Sequence, residues 1–228
     1  MNKGIQEIFN TVPKTYELIN HVLTFGLDIA WRKRLARKAA GFGGSLWLDI
    51  CSGTGETAGY LRRLAPEGVE VVAADFCEPM LSEARKKSDK IKFTIGDATK
   101  LPFPDNKFDL VTISFATRNL NISREMLTKT FAEFRRVLKP GGRFLNLETS
   151  QPDSKIIRKL FHTYIGLSVK PIGILISGSK SGYKYLSHTI PRFYDAATLA
   201  EVMKDAGFQT ATFDRMMFGA AAIHTAVK

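Results

Sequence analysis

The chain has 228 residues, 44% of them hydrophobic, enough for one substantial core with little left over for a second independent domain. A net charge of +11 raises affinity for nucleic acid, anionic lipid or an anionic ligand without choosing among them. Only Cys51 and Cys77 are present and neither belongs to a CxxC pair, which excludes a disulfide scaffold and points to a reducing compartment; no secretory h-region or bilayer-length apolar run is present, so the expectation is a soluble or peripheral protein.

Near the N-terminus, Ile5, Ile8, Phe9 and Val12, then Tyr16, Ile19, Val22 and Leu23, recur at helical spacing on either side of Pro13. Residues 1–42 therefore read as a helical cover over a sheet edge or a ligand pocket. Strand and helix signals then alternate: strand 45–51, helix 56–65, strand 70–76, helix 79–88, strand 91–95, strand 108–115, helix 124–138 and strand 143–148. Short apolar strands separated by helices imply an α/β layer architecture with a mostly parallel sheet. Lys139-Pro140-Gly141-Gly142 is expected to stop one helix and turn the chain into its strand.

Residues 151–192 break the rhythm. Ile156, Ile157, Leu160, Phe161, Tyr164 and Ile165 form an apolar helical stripe, after which Gly166, Gly173, Gly178 and Gly182 are expected to interrupt it. The segment reads as an insertion: a structural flap, or a lid or peripheral membrane element over an apolar substrate. Helix 196–206 and strands 208–215 and 221–227 close the chain. The connection between those strands is too short for a helical crossover, so they form an antiparallel pair. One domain, residues 1–228, is the expected organisation.

The most informative stretch is Asp49-Ile50-Cys51-Ser52-Gly53-Thr54-Gly55-Glu56, where a strand breaks into small residues before a helix. Such a turn lets backbone approach a ligand and presents unpaired N–H groups. Asp75, followed by Phe76, ends the second strand twenty residues after Gly55, placed to accept both hydroxyl hydrogens of a ribose. Ala58 stands in the third glycine place of G-x-G-x-x-G, so the loop alone is ambiguous. Glu56 discriminates better, because a carboxylate there repels a pyrophosphate and favours a sulfonium or ammonium cation. Asp97 and Ala98 after the third strand are placed to meet an adenine, the alternative being that Asp97 caps the next turn.

These positions resemble the class I S-adenosylmethionine-dependent methyltransferases: the glycine loop is similar to that family's first motif, Asp75 to its ribose-binding acid, and Asp97-Ala98 to its adenine-contacting pair. Phe108-Asp109-Leu110-Val111 and Leu138-Lys139-Pro140-Gly141-Gly142 resemble its later strand motifs. The resemblance implies a Rossmann-like, seven-stranded, mostly parallel sheet with an antiparallel last strand. It also implies S-adenosyl-L-methionine as cofactor, held by Asp49, Cys51 to Glu56, Asp75, Phe76, Asp97, Ala98 and Ser114.

A narrower resemblance covers nearly the whole chain, to the menaquinone and ubiquinone biosynthesis C-methyltransferases. It rests on Tyr16-Glu17-Leu18-Ile19-Asn20, Phe25-Gly26-Leu27-Asp28, Trp31-Arg32, Ser114-Phe115-Ala116-Thr117-Arg118-Asn119, Leu147 to Pro152, Tyr183 to Leu186, and Gly219 to His224. It implies C-methylation of a prenylated quinol such as demethylmenaquinol, without a metal. Arg118 is expected to stabilise the developing oxyanion, Asn119 to orient the ring hydroxyl, and Phe9, Tyr16, Asn20, Phe115 and Tyr185 to hold the substrate. His188 and Tyr183 are candidate proton acceptors, with His224 or water competing. The alternatives are another small aromatic or lipid substrate, an RNA methyltransferase, or a noncatalytic quinone-biosynthesis assembly protein. Expected partners are the quinol, a membrane surface and further copies or a quinone-biosynthetic assembly, with no nucleic acid. The expected location is the cytoplasm, at the inner face of the membrane.

Overall fold

The computed structural model describes residues 16–177 and 186–228, without the side chains of Tyr16 and Ser177. Two N-terminal helices, α1 (Tyr16–Leu23) and α2 (Leu27–Ala40), lead into β1 (Leu46–Ile50). There follow α3 (Glu56–Leu64), β2 (Glu70–Asp75), α4 (Glu78–Arg85), β3 (Lys92–Ile95) and β4 (Phe108–Ser114). Then come α5 (Thr117–Leu120), α6 (Arg124–Val137), β5 (Leu138–Thr149), α7 (Lys155–Ser177), α8 (Ala196–Asp205), β6 (Thr210–Met216) and β7 (Ala221–Val227).

The seven strands form one sheet in the order β3-β2-β1-β4-β5-β7-β6. β1 to β5 pair in parallel, whereas β7 runs antiparallel to both β5 and β6. The link between β6 and β7, a single 3-10 turn at Met217–Gly219, is too short for a helical crossover and dictates that reversal, as the sequence implies.

Because successive strand residues point to opposite faces, β1 splits its side chains between two cores. Leu48 and Ile50 join Val111, Ile113 and Phe144 under α6 and α8, where Phe131, Phe134, Val202 and Met203 are buried. Trp47 faces the other way, with Val71, Ala73, Leu110 and Leu145, under Leu35, Ala36 and Ala39 of α2 and Leu61 of α3. A smaller cluster of Ile19, Ile165, Val169 and Ile190 fastens α1 to α7.

Two segments differ from their sequence expectation. Lys139 to Gly142 do not form a free turn: the register jumps from Phe108 opposite Leu138 to Leu110 opposite Arg143, so these four residues bulge within β5. The bulge is held by Gly141 N–H donating to Lys228 O and Lys228 N–H donating to Gly142 O, at 3.1 and 3.0 Å. Gly166 and Gly173 likewise do not interrupt the helix that follows β5, and Gly178 and Gly182 lie outside the described residues. α7 passes through Gly166, Pro171 and Gly173 to Ser177, because burial of Ile165 and Val169 against Ile19 and Ile190 offsets the cost, of about 1 kcal/mol per glycine and about 3 for proline. Among the described residues no helix is long and apolar enough to cross a membrane.

Candidate active site

β1 is flanked by β2 on one side and β4 on the other, so the loops leaving their C-terminal ends diverge and open a cleft at the point where strand order reverses. Cys51 and Phe115, the first residues after β1 and β4, both take left-handed backbone angles, φ 53° and 56°. Side-chain residues rarely adopt that region, and such strain concentrates at functional sites. The cleft is lined by Asp49, Cys51 to Thr54, Glu56, Asp75 to Cys77, Ser114, Phe115 and Asn119, with Arg32 reaching in from α2.

Asp75 is aimed by the backbone. Its Oδ2 accepts from Gly53 N–H and its Oδ1 from Cys77 N–H, both at 2.9 Å, and each oxygen keeps a second lone pair for a ligand. Burial raises its carboxyl pKa, while those N–H groups oppose the rise. Asp49 sits deeper: its Oδ1 accepts from Thr112 Oγ1 at 2.6 Å, but its Oδ2 has no partner. Burial pushes its pKa from 3.8 to about 7. Glu56 is also raised by burial, against the opposing charge of Arg32. The Cys51 thiol is pushed well above its ordinary value, first by burial and then by Asp75 and Asp49, which leaves it protonated and unreactive.

Five buried polar atoms of cleft-lining residues lack a hydrogen-bond partner: Arg32 Nε, Asp49 Oδ2, Ser52 Oγ, Ser114 Oγ and Asn119 Oδ1. Leaving such atoms unpaired costs about 1–3 kcal/mol each. A ligand bearing hydroxyls, a carboxylate and positive charge would satisfy them, and S-adenosylmethionine carries all three. The residues present therefore fit that cofactor.

Three expected cofactor residues do not line the cleft. Gly55 serves packing instead: its φ is 82° and a Cβ there would stand 3.0 Å from Ala84 Cβ, so the glycine lets α3 lie against α4. Asp97 Oδ1 accepts from Thr99 N–H and Thr99 Oγ1, both at 2.8 Å, the turn-capping role the sequence left open. Ala98 is buried in the core.

Phe115 also forms part of a second, apolar cavity of about 430 Å³ beneath α1 and α7. Leu23, Trp31, Leu160, Phe161, Ile165 and Leu186 line it, with Asn20, Thr24, Asp28, Arg118, Thr149 and Tyr164 as its polar residues. Arg118 is 7% exposed; its Nη1 donates to Thr189 Oγ1 at 3.0 Å and its Nε has no partner. Its backbone N–H donates to Oε2 of the buried Glu148 at 3.1 Å, which fixes the start of α5. Arg32 lies 4.9 Å from the Phe115 ring centroid and donates to Thr57 Oγ1 at 2.6 Å, tying α2 to the first turn of α3.

The expected site residues thus divide. Asn119, Ser114 and Phe115 face the cofactor cleft, while Asn20, Phe115 and Arg118 face the apolar cavity. Phe9, Tyr183, Tyr185 and the helix expected at Ile5 to Val12 lie outside the described residues, as does the Tyr16 side chain. His188 is a correction: it is exposed, outside both cavities, and accepts from Arg192 Nη1 at 3.1 Å. His224 is buried in β7, with Nε2 donating to Ala196 O at 2.9 Å and its pKa depressed by burial to about 4, so it serves the sheet. Sequence reasoning missed Arg32, Asp28 and Thr24. Trp31-Arg32 and Phe25 to Asp28 stood in the resemblance without a role.

The ubiE/COQ5 methyltransferase family matches residues 1–228. The chain is 35% identical over 227 residues to a ubiquinone/menaquinone biosynthesis C-methyltransferase UbiE of Desulfotalea psychrophila, covering 99% of this chain and 90% of that protein. It is 37% identical over 232 residues to a demethylmenaquinone methyltransferase of Lactiplantibacillus plantarum, covering 99% and 96%. A SAM-dependent methyltransferase of Thermotoga maritima, described as a possible histamine N-methyltransferase, superimposes with TM-score 0.64 at 18% identity, over 94% of this chain and 98% of that one, which shows a shared fold. The chain belongs to the ubiE/COQ5 methyltransferase family and is an S-adenosylmethionine-dependent methyltransferase.

Proposed function

We propose that this enzyme methylates a ring carbon of a prenylated quinol, demethylmenaquinol above all, within a single domain in which residues 1–42 cover the site and residues 151–192 form a lid over the acceptor. The observation that carries the reading is the apolar cavity meeting the cofactor cleft at Phe115, with Arg118 the only cation among its described lining residues. A prenyl tail matches such walls, since each buried CH₂ is worth about 0.8 kcal/mol.

When bound, S-adenosylmethionine supplies a methyl group on a sulfonium centre. Arg118, with its unpaired Nε, stabilises negative charge as it develops on the quinol oxygen. Asn119 and Phe115 orient the ring at the junction, and the walls of the cavity exclude water. The names of the relatives from Desulfotalea psychrophila and Lactiplantibacillus plantarum support a quinone-pathway acceptor.

The rim supports peripheral docking to an anionic lipid surface. Phe25 and Phe218 are 80% and 75% exposed at positive φ, and Met217, Ile156 and Leu160 are exposed beside Lys155 and Lys159. A tail could then enter the cavity from the bilayer. The test offers purified enzyme labelled S-adenosylmethionine with the same prenylated acceptor in reduced and oxidised form. Turnover on the quinol alone is expected, because only the reduced ring is electron-rich; label in neither, with cofactor binding intact, would refute the reading.

A further inference from the structure

Of the expected proton acceptors, the two among the described residues do not reach the apolar cavity: His188 points to Arg192 and His224 is sealed in the sheet. We propose that Asp28 is the proton acceptor, with Thr24 and His21 positioning its carboxylate; this rests on the quinol reading above. Asp28 is the only carboxylate among the described residues lining the apolar cavity, and it is 1% exposed. A burial this deep, facing apolar walls, is costly for a carboxylate that merely decorates a helix start.

The surroundings hold it ready. Thr24 Oγ1 donates to Asp28 Oδ1 at 2.7 Å and His21 Nδ1 donates to Oδ2 at 2.8 Å. Each oxygen keeps a lone pair, so a ring hydroxyl has somewhere to donate. The turn between α1 and α2 builds this contact: Phe25 and Gly26 take φ 53° and 75°, and Gly26 N–H donates to His21 O at 2.7 Å, folding His21 back over Asp28.

Other charges face the pair. His21 Nε2 lies 3.4 Å from Glu56 Oε1, Arg32 Nε lies 3.9 Å from Asp28 Oδ2 and 3.5 Å from Glu56 Oε2, and Glu17, itself paired with Lys87, stands nearby on α1. His21, Asp28 and Glu56 could hold a metal ion by spacing alone, but the Arg32 guanidinium already supplies the positive charge there.

In the step, the quinol O–H bond breaks and its proton passes to Asp28. The oxygen electron pair moves through the ring to form the carbon–methyl bond, and the methyl–sulfur bond breaks with its pair going to sulfur. The proton on the methylated ring carbon is then lost to water, which restores the aromatic ring as the quinolate, and Asp28 returns its proton to that oxygen to give the quinol. One proton is released per turnover.

The test compares wild type, Asp28→Asn and Thr24→Val on two prenylated quinols that differ in hydroxyl acidity, with cofactor binding measured by calorimetry. Asp28→Asn should bind cofactor normally and lose about 100-fold or more in kcat on the less acidic quinol, with a much smaller loss on the more acidic one. Thr24→Val, which leaves the carboxylate in place but frees Oδ1, should show the same pattern more weakly. Equal turnover in Asp28→Asn and wild type, or an equal loss on both quinols, overturns the proposal. Should Asp28→Asn not fold, unchanged acidity dependence in Thr24→Val overturns it. Failure of wild type on every quinol sinks the substrate reading instead.

Discussion

Replacing Asp49 with Asn should stabilise the cofactor-free enzyme at alkaline pH while weakening cofactor binding. Asp49 is 1% exposed with Oδ2 unpaired, and burial lifts its pKa from 3.8 to about 7. For a carboxyl raised in the folded state, the native form holds the proton more tightly than the unfolded chain, so stability falls as pH rises through the interval from 3.8 to about 7. The full cost of ionising it in place is roughly 4 kcal/mol, at about 1.4 kcal/mol per pH unit. About 3 kcal/mol of this accrues between pH 5 and pH 8. Asn keeps the Thr112 hydrogen bond through its own Oδ1 but buries an unpaired amide, which costs about 1–3 kcal/mol at any pH. The pH dependence is therefore the clean signal. Urea denaturation of both proteins without cofactor should show the variant gaining about 3 kcal/mol on wild type between pH 5 and pH 8. A difference that stays flat with pH would refute the reasoning, because it would mean that Asp49 carries its charge without cost.

The two loop glycines should separate cleanly. Gly55→Ala, strained at φ 82° and crowded by Ala84, should lose about 1–3 kcal/mol in thermal unfolding. Gly53→Ala, strained at φ 55° by about 1–2 kcal/mol but with a Cβ that meets nothing within 4 Å, should lose less stability than Gly55→Ala and should also weaken cofactor affinity in calorimetry. Arg118→Ala should lower kcat by about 10²-fold while leaving cofactor affinity in place, with Arg118→Lys recovering part of the loss. Phe25→Ser with Phe218→Ser should reduce cosedimentation with anionic vesicles without lowering thermal stability, since both rings are exposed.

The strands and the cofactor loop were legible because apolar runs such as Leu46–Ile50 end in glycine turns, and local chemistry alone specifies that pattern. Lys139 to Gly142 carry the same turn chemistry, yet pairing with the terminal Lys228 pulls them into the sheet. No local signal reports a partner 87 positions away. α7 continues through Gly166, Pro171 and Gly173 for the same kind of reason, its buried contacts lying on α1 and beside Ile190. In the site, Asp75 and Glu56 could be read from their distance to the glycines. Asp28 and His21 could not, because their partnership depends on the left-handed turn at Phe25 and Gly26, and Phe25 gives no sequence sign of that conformation. Arg32 escaped similarly: an arginine in a basic helix reads as surface, and only the structure shows it buried between Thr57 and Phe115.

The most direct measurement of the central claim is the position of the transferred methyl group. Purified enzyme, methyl-labelled S-adenosylmethionine and demethylmenaquinol held reduced under anaerobic conditions should give one product, with the label on the ring carbon adjacent to a hydroxyl-bearing carbon, resolved by carbon NMR. Label on a quinol oxygen, or none on the ring while bound cofactor is confirmed, would contradict the account.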